Sequence, residues 1–140
     1  MSDKNKETVR RWVVDGFRFG AEGIADELVD ASFDYHHPGF PPVGNGPDGY
    51  RQLVQIYRDA FPDLIVTLEN IVAEGDTVVA RWTAKGTNTG EMMGMPPTGN
   101  AFEATGMNLF RLEADKVAEV WTNFDDLGMM QQLGLIPTPG

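Results

Sequence analysis

Apolar residues recur at every second position through the second half of the chain, from Leu64 onward. This period of two predicts four long strands, which span Leu64–Val72, Thr77–Thr87, Ala101–Glu113 and Lys116–Phe124. Residues 74–76 and residues 114–115 lie between paired strands, and each short segment predicts a tight hairpin turn. The second half of the chain is therefore predicted to form an antiparallel sheet.

The first half of the chain has helical spacing instead. Three helices are predicted, from Ser2 or Asp3 to about Phe19, from Ala21 to Val29 and from Asp48 to Phe61. Between the second and third helices, residues 32–50 have no periodicity and many glycines and prolines. This composition predicts a long irregular connection, of the kind that often borders a binding site.

Helices that are separate in sequence from an antiparallel sheet are typical of the α+β class. A sheet of about four strands that buries one face against only three helices is expected to curve strongly around them. The predicted architecture is a single domain, residues 1–140, in which the curved sheet forms a cone closed by three N-terminal helices. A pocket is expected at the mouth of the cone.

Strand alternation assigns the residues of the last hairpin to two faces. The inner face is apolar except for two uncharged polar residues. Its members are Phe102, Ala104, Gly106, Asn108, Phe110, Leu112, Ala118, Val120, Thr122 and Phe124. The outer face carries Met107, Leu109 and Trp121. Because a large exposed apolar patch is unfavourable in a monomer, we predict a homo-oligomer, a dimer or tetramer, formed through the outer sheet face. The alternative is that strand twist or a bulge shifts the register and buries Trp121 in the core.

A net charge of −10 in 140 residues narrows the possible partners. An acidic surface repels nucleic-acid phosphate and anionic lipid, so we expect neither nucleic acid nor a membrane as a partner. The absence of cysteine excludes disulfides and thiolate catalysis. The N-terminus has no signal-peptide pattern and no apolar run reaches membrane-spanning length, so we expect a cytoplasmic protein.

Three stretches carry a resemblance to a known family. They read GPDGYRQLVQIYRDAFPDL, MGMPPTGNAFEATGMNLFRLEADKVAEVW and FDDLGMMQQLG. The chain resembles the SnoaL-like polyketide cyclases, also called ester cyclases, over nearly its whole length, from Val9 to Leu135. The resemblance implies the curved-sheet cone shared with ketosteroid isomerase and nuclear transport factor proteins. It also implies cofactor-free ring closure by intramolecular aldol condensation, in oligomers built through the outer sheet face.

The acid–base residues of that family are not matched. In a gapless alignment from the GMPPT loop to the terminal QLG, the family's catalytic aspartate falls on Thr122 and its assisting histidine on Asn108. Neither side chain acts as a base near neutral pH, but both can hydrogen-bond a substrate oxygen. Either the base has moved or the reaction differs.

Two residues near the predicted mouth are the candidate catalytic bases. Asp125 follows the last strand directly, although an aspartate there can instead cap a short helical tail predicted from Leu127 to Leu133. Asp126 competes for that cap and is otherwise expected in solvent. His36 and His37, adjacent in the irregular connection, each offer an imidazole that can act as a base near neutral pH, and His36 is taken as the candidate.

The remaining candidate residues are expected to line the pocket and bind substrate. They are Trp12, Tyr35, Tyr50, Trp82, Met95, Asn108, Phe110, Thr122 and Phe124. Met95 belongs to a methionine-rich loop that can form a pliable lid. No metal site is predicted, because the adjacent histidines and Asp34 lack an evident third ligand position. No cofactor is expected, because aldol closure needs only a base and hydrogen-bond donors.

These features predict a cofactor-independent cyclase that acts on a small apolar, polycyclic or polyketide-like ligand. The alternatives are a related hydroxylase or isomerase on the same scaffold, or a non-catalytic binding protein. A buried carboxylate or histidine beside the pocket favours an enzyme, whereas a pocket without a titratable group favours a binder. A pure assembly module predicts a filled cone with no cavity.

Overall fold

The computed structural model describes residues 2–137, and its N-terminal part is helical. Helix α1 (Ser2–Arg10) passes through a π-helical turn (Arg11–Asp15) into the short helix α2 (Gly16–Phe19). The helical run ends at Gly20, whose φ of 100° is accessible mainly to glycine. The first predicted helix is therefore confirmed in extent, with an unforeseen π turn at its centre.

The segment after Gly20 differs from the prediction. Helix α3 covers only Ala25–Leu28, and strand β1 (Val29–His36) follows it immediately. The predicted irregular connection therefore contains a strand, and only residues 37–45 separate β1 from helix α4 (Gly46–Ala60). Strand β1 runs parallel to the last strand of the sheet, so its backbone hydrogen-bonding groups are satisfied by a partner that is distant in sequence.

The sheet contains five strands rather than about four. After β1 come β2 (Ile65–Glu74), β3 (Thr77–Thr87), β4 (Ala101–Glu113) and β5 (Lys116–Phe124), and a final helix α5 (Asp126–Leu133) closes the chain. The spatial order is β1-β5-β4-β3-β2, with antiparallel pairing everywhere except between β1 and β5. The sheet is curved and unclosed, which confirms the α+β class and the cone. Among residues 2–137, no helix has the length and apolar character needed to cross a membrane.

The two faces of the last hairpin are largely those predicted. Asn108 and Thr122 are buried on the inner face, and Trp121 is 42% exposed on the outer face. Val117 is the exception: strict alternation with Ala118 would place it on the outer face, but it is fully buried. A bulge explains the difference, because the register between β4 and β5 skips Ala118. The bulge lies before Trp121 and does not turn that residue inward.

The π turn is held in place by Tyr50 of α4. The Tyr50 hydroxyl donates to the carbonyl of Trp12 at 2.7 Å, and the two rings stack with centroids 4.9 Å apart. A side chain at position 16 would meet Tyr50, since a Cβ on Gly16 would lie 1.8 Å from the tyrosine oxygen. Gly16 therefore permits the close contact that presents Trp12 to the interior of the cone.

Candidate functional site

A small apolar hollow lies between the helices and the inner face of the sheet. Its volume is about 40 Å³, which is room for only a few water molecules because each needs ~10–15 Å³ on this measure. Its walls are mostly aromatic and aliphatic. They are formed by Trp12, Val13, Phe17, Tyr35, His37, Tyr57, Leu64, Val66, Trp82, Ala84, Phe102, Asn108, Thr122 and Phe124. The cone is therefore nearly filled, with a few polar groups on an otherwise apolar wall.

Part of the wall on the sheet side is a chain of hydrogen bonds across three strands. The indole N–H of Trp82 donates to the side-chain oxygen of Asn108. The amide nitrogen of Asn108 donates in turn to the Thr122 hydroxyl oxygen at 2.6 Å. Because Thr122 accepts this bond, its own O–H can donate, and the Thr122 side chain hydrogen-bonds Tyr35.

A second hydrogen-bonded group connects the hollow to the start of α5. The Tyr35 hydroxyl lies 3.0 Å from Nδ1 of His37, and Nε2 of His37 lies 2.7 Å from Oδ2 of Asp126. A carboxylate only accepts, so Nε2 carries a proton and neutral His37 accepts the Tyr35 O–H at Nδ1. The His37 side chain is 2% exposed, whereas the Asp126 side chain is 38% exposed. We call Tyr35, His37 and Asp126 the relay.

Burial sets the protonation of the tyrosines around the hollow. Burial raises the pKa of Tyr35, and the neighbouring Thr122 side chain offsets this only in part. Burial also raises the pKa of Tyr57 well above its usual value. Both tyrosines therefore remain neutral hydrogen-bond donors at ordinary pH.

One donor of a residue that lines the hollow has no hydrogen-bond partner among residues 2–137. This donor is the buried indole nitrogen of Trp12. A buried polar group without a partner is unfavourable by about 1–3 kcal/mol. An oxygen atom bound in the hollow could relieve this penalty.

The structure brings six of the nine predicted substrate-binding residues to the hollow and leaves three away from its surface. Trp12, Tyr35, Trp82, Asn108, Thr122 and Phe124 all contribute to the wall. Tyr50 lies behind Trp12, and Phe110 packs edge-on against the same indole at 5.2 Å. Met95 lies in the loop between β3 and β4, where its backbone pairs with Met92.

Neither of the two candidate bases lies at the hollow, and in each case the next residue in the sequence lies there or contacts it instead. His36 points to the outer face, where Nε2 lies 2.7 Å from Glu119 and the ring stacks on Trp121. Its neighbour His37 enters the hollow instead. The reason is strand alternation: β1 sends successive side chains to opposite faces, and His37, the first residue after β1 ends at His36, continues that alternation. Phe33, Tyr35 and His37 have a period of two in the sequence, but this spacing indicates an inward face only once β1 is known to be a strand.

The Asp125 side chain is also bonded away from the hollow, at the start of α5. Its carboxylate accepts from the backbone N–H of Gly128 at 2.9 Å, as an N-cap of α5 does. Asp126, which was expected in solvent, is the carboxylate that meets His37. Both aspartates suit a helix N-terminus, and the contact with a histidine 89 residues earlier distinguishes them.

A three-residue cluster with metal-ligand chemistry lies outside the hollow. Within residues 2–137, Asp34, His36 and Glu119 form the one group of three or more such side chains whose ligand atoms all lie within 4.8 Å of one another. The group is on the outer sheet face. The hollow itself contains one imidazole and no comparable set.

Comparison with known proteins gives consistent matches over nearly the whole chain. A family model described as SnoaL-like polyketide cyclase matches residues 7–133. Nogalonic acid methyl ester cyclase of Streptomyces nogalater is 30% identical over 128 residues, covering 87% of this chain and 92% of that protein. Aklanonic acid methyl ester cyclase of Streptomyces peucetius is 30% identical over 139 residues, covering 95% of this chain and 93% of that protein. Among solved structures, a candidate SnoaL-like polyketide cyclase from a Jannaschia species is 27% identical with a TM-score of 0.84, covering 97% of this chain and 95% of its own.

Proposed function

Because the chain belongs to the SnoaL-like polyketide cyclase family, we propose that it closes a ring in an apolar, polyketide-like substrate by cofactor-independent aldol chemistry. The observation that carries the proposal is a buried histidine, His37, held between Tyr35 and Asp126 at the wall of an apolar hollow. It supplies the titratable group that is missing from the positions of Asn108 and Thr122.

The reaction is an isomerisation within one molecule. A base removes a proton from the carbon next to one carbonyl, and the resulting enolate carbon attacks a second carbonyl carbon of the same substrate. One C–C bond forms, the attacked carbonyl oxygen receives the proton, and a hydroxyl results. No electron acceptor, metal or second substrate enters the balance.

The relay performs the proton transfers. The Tyr35 oxygen takes the substrate proton while its own proton passes to Nδ1 of His37 over the 3.0 Å contact. The imidazolium that forms is stabilised by the Asp126 carboxylate 2.7 Å from Nε2. Reversal of these transfers protonates the new alkoxide. General acid–base help of this kind contributes about 10²–10⁴-fold to the rate.

Neutral donors hold the substrate oxygens. The second N–H of Asn108 and the unpartnered N–H of Trp12 are fixed by packing before substrate binds, and the Thr122 hydroxyl contacts Tyr35 beside them. Donors that are already oriented stabilise the developing enolate without reorganisation. The residues at the family's acid–base positions thus act as binding groups in this chain.

Substrate entry requires the hollow to widen, since about 40 Å³ holds no polycyclic molecule. Phe40 is the covering group most suited to move. It lies in the connection between β1 and α4 and stacks between His37 at 5.0 Å and Tyr57 at 5.5 Å. Displacing Phe40 would expose His37 and open the aromatic wall, so we propose this connection as the entrance.

The esters named in the two cyclases above serve as test substrates. Purified protein is incubated with aklanonic acid methyl ester or nogalonic acid methyl ester in D₂O, and the products are analysed by chromatography and mass spectrometry. We expect a cyclised isomer, together with unreacted ester that carries deuterium at the carbon next to the carbonyl because part of the enolate is reprotonated by solvent. Absence of both cyclisation and deuterium exchange with both esters would contradict the proposal.

Sequence neighbours provide matched controls for the relay. His37→Gln and Asp126→Asn should lower kcat, by about 10²–10⁴-fold for the histidine. His36→Gln and Asp125→Asn make the same chemical changes one position away and should keep kcat within a few-fold. Imidazole added to a His37→Gly variant should restore part of the activity. A His37→Gln variant with wild-type kcat would refute the assignment of the base while leaving the cyclase activity itself in place.

A further inference from the structure

We propose that Asp34, His36 and Glu119 form a binding site for a divalent transition-metal ion on the outer face of the sheet. Two of these residues lie on β1 and the third lies on β5. The site is separate from the hollow, and the proposal does not depend on the cyclase activity.

Strand pairing places the three side chains together. Asp34 and His36 are two residues apart on β1, so both project from the same face. Glu119 is the register partner of Asp34 on the parallel strand β5. The ligand atoms therefore converge on one point from two hydrogen-bonded strands, and the backbone beneath them is rigid.

The spacing suits a tetrahedral ion. Ligands at the usual ~2.0–2.2 Å from Zn²⁺ lie roughly 3.4 Å from one another. Nε2 of His36 lies 3.5 Å from Oδ2 of Asp34, which fits directly. The same nitrogen lies 2.7 Å from Oε2 of Glu119, so this side chain would need to retreat by roughly 0.7 Å. The ion would occupy the place now taken by the Nε2 proton, which is released to solvent.

Neighbouring groups orient the ligands, as outer-shell partners do in metal sites. The His36 ring stacks on Trp121 with centroids 5.3 Å apart and an interplanar angle of 21°. Arg111 donates to Oε1 of Glu119 at 3.2 Å, which leaves Oε2 directed at His36. Arg111 also pairs with Glu113 at 2.8 Å, so its charge is largely balanced and the two ligand carboxylates can attract a cation.

The donor set specifies the class of ion. One imidazole nitrogen and two carboxylate oxygens suit Zn²⁺ and its neighbours such as Ni²⁺ and Cu²⁺ better than Ca²⁺, which takes oxygen ligands only. Three protein ligands leave the fourth tetrahedral position to water or to a small anion.

The test is a Zn²⁺ competition titration on metal-stripped protein without an affinity tag, using a chromogenic chelator. We expect one Zn²⁺ per chain. His36→Ala should weaken binding by at least about 100-fold, beyond the 10–100-fold typical of outer-shell changes. Asp34→Asn removes an exposed ligand without disturbing the core and should also weaken binding.

Two further measurements separate ligation from general acidity. Asp30→Asn removes the same charge from the same strand without removing a ligand or a partner of Arg111, and it should keep the affinity within a few-fold. Cu²⁺ should quench tryptophan fluorescence up to one equivalent, and Trp121→Phe should abolish most of that quenching. The proposal is overturned if no Zn²⁺ binds, or if His36→Ala and Asp34→Asn bind it as tightly as the wild type.

Discussion

Replacement of Gly16 by alanine would place a methyl group against the most buried tyrosine of the fold. The backbone at Gly16 is ordinary helix, with φ of −60°, so alanine is permitted by its conformation. The added Cβ would lie 1.8 Å from the Tyr50 oxygen and 2.9 Å from its ring carbon. Tyr50 is fully buried and donates to the Trp12 carbonyl, so it cannot move without losing this bond.

The expected destabilisation follows from three contributions. Overpacking a filled site is unfavourable by about 1–3 kcal/mol. Loss of the hydrogen bond leaves a buried acceptor without its partner and adds about 1–3 kcal/mol. Alanine favours a helix over glycine by about 1 kcal/mol, which offsets part of this. The net loss is about 3 kcal/mol, or a fall in Tm of about 10 °C for a chain of this size.

Thermal unfolding of a double-mutant cycle tests the mechanism. Tyr50→Phe alone should lose about 1–2 kcal/mol, because only the hydroxyl is removed. In that background the closest clash of Gly16→Ala is absent and the hydrogen bond is already gone. The double variant should therefore lose about 2 kcal/mol, less than the sum of the single variants. Gly23→Ala is the control, since a Cβ there meets nothing within 4 Å.

Two results would refute this reasoning. One is a Gly16→Ala variant as stable as Gly23→Ala, which would mean that the π turn tolerates a side chain. The other is strict additivity in the cycle, which would mean that alanine acts through something other than the Tyr50 hydroxyl. In either case the contact between Gly16 and Tyr50 would not be what presents Trp12 to the hollow.

Three further predictions address the cap, the outer face and acid stability. Asp125→Ala should lower stability by about 1 kcal/mol in thermal unfolding, because the N-cap bond to Gly128 is lost; an unchanged Tm would show that the cap is dispensable. Trp121→Arg should reduce the mass measured by light scattering if the exposed outer face joins subunits, and an unchanged mass would exclude that interface. The backbone N–H of Thr87 donates to Asp63 at 2.7 Å and lowers the pKa of that carboxyl. Because the pKa is lower in the folded state, ionised Asp63 stabilises the fold at pH values above its unfolded pKa of ~3.9. This stabilisation is lost as the pH falls through the folded-state pKa, so the Tm advantage of the wild type over Asp63→Asn should shrink in acid.

The local pattern of apolar and polar residues was sufficient to predict most of the sheet. A period of two predicted β3, β4 and β5 with their final boundaries and assigned Asn108 and Thr122 to the inside. Alternation is reliable there because each strand has one buried and one open face. It also predicted that Trp121 faces outward, a result that the bulge at Ala118 did not change.

Strand β1 was missed because its stability depends on a distant partner. Its burial pattern is mixed and it precedes a glycine- and proline-rich segment, so its own residues resemble a loop. Pairing with β5, more than 80 residues later, supplies the missing hydrogen bonds. Without that strand, no alternation could be applied to His36 and His37.

The sequence by itself determined a curved α+β cone with two uncharged polar groups on its inner face, because alternation is local. Only the tertiary structure decided which histidine faces the hollow and which aspartate meets it, since that pairing joins residues 37 and 126. Helix-capping propensity is similar for Asp125 and Asp126, and a contact across the fold separates them. The convergence of Glu119 on Asp34 and His36 has the same origin, because parallel pairing of distant strands leaves no local signature.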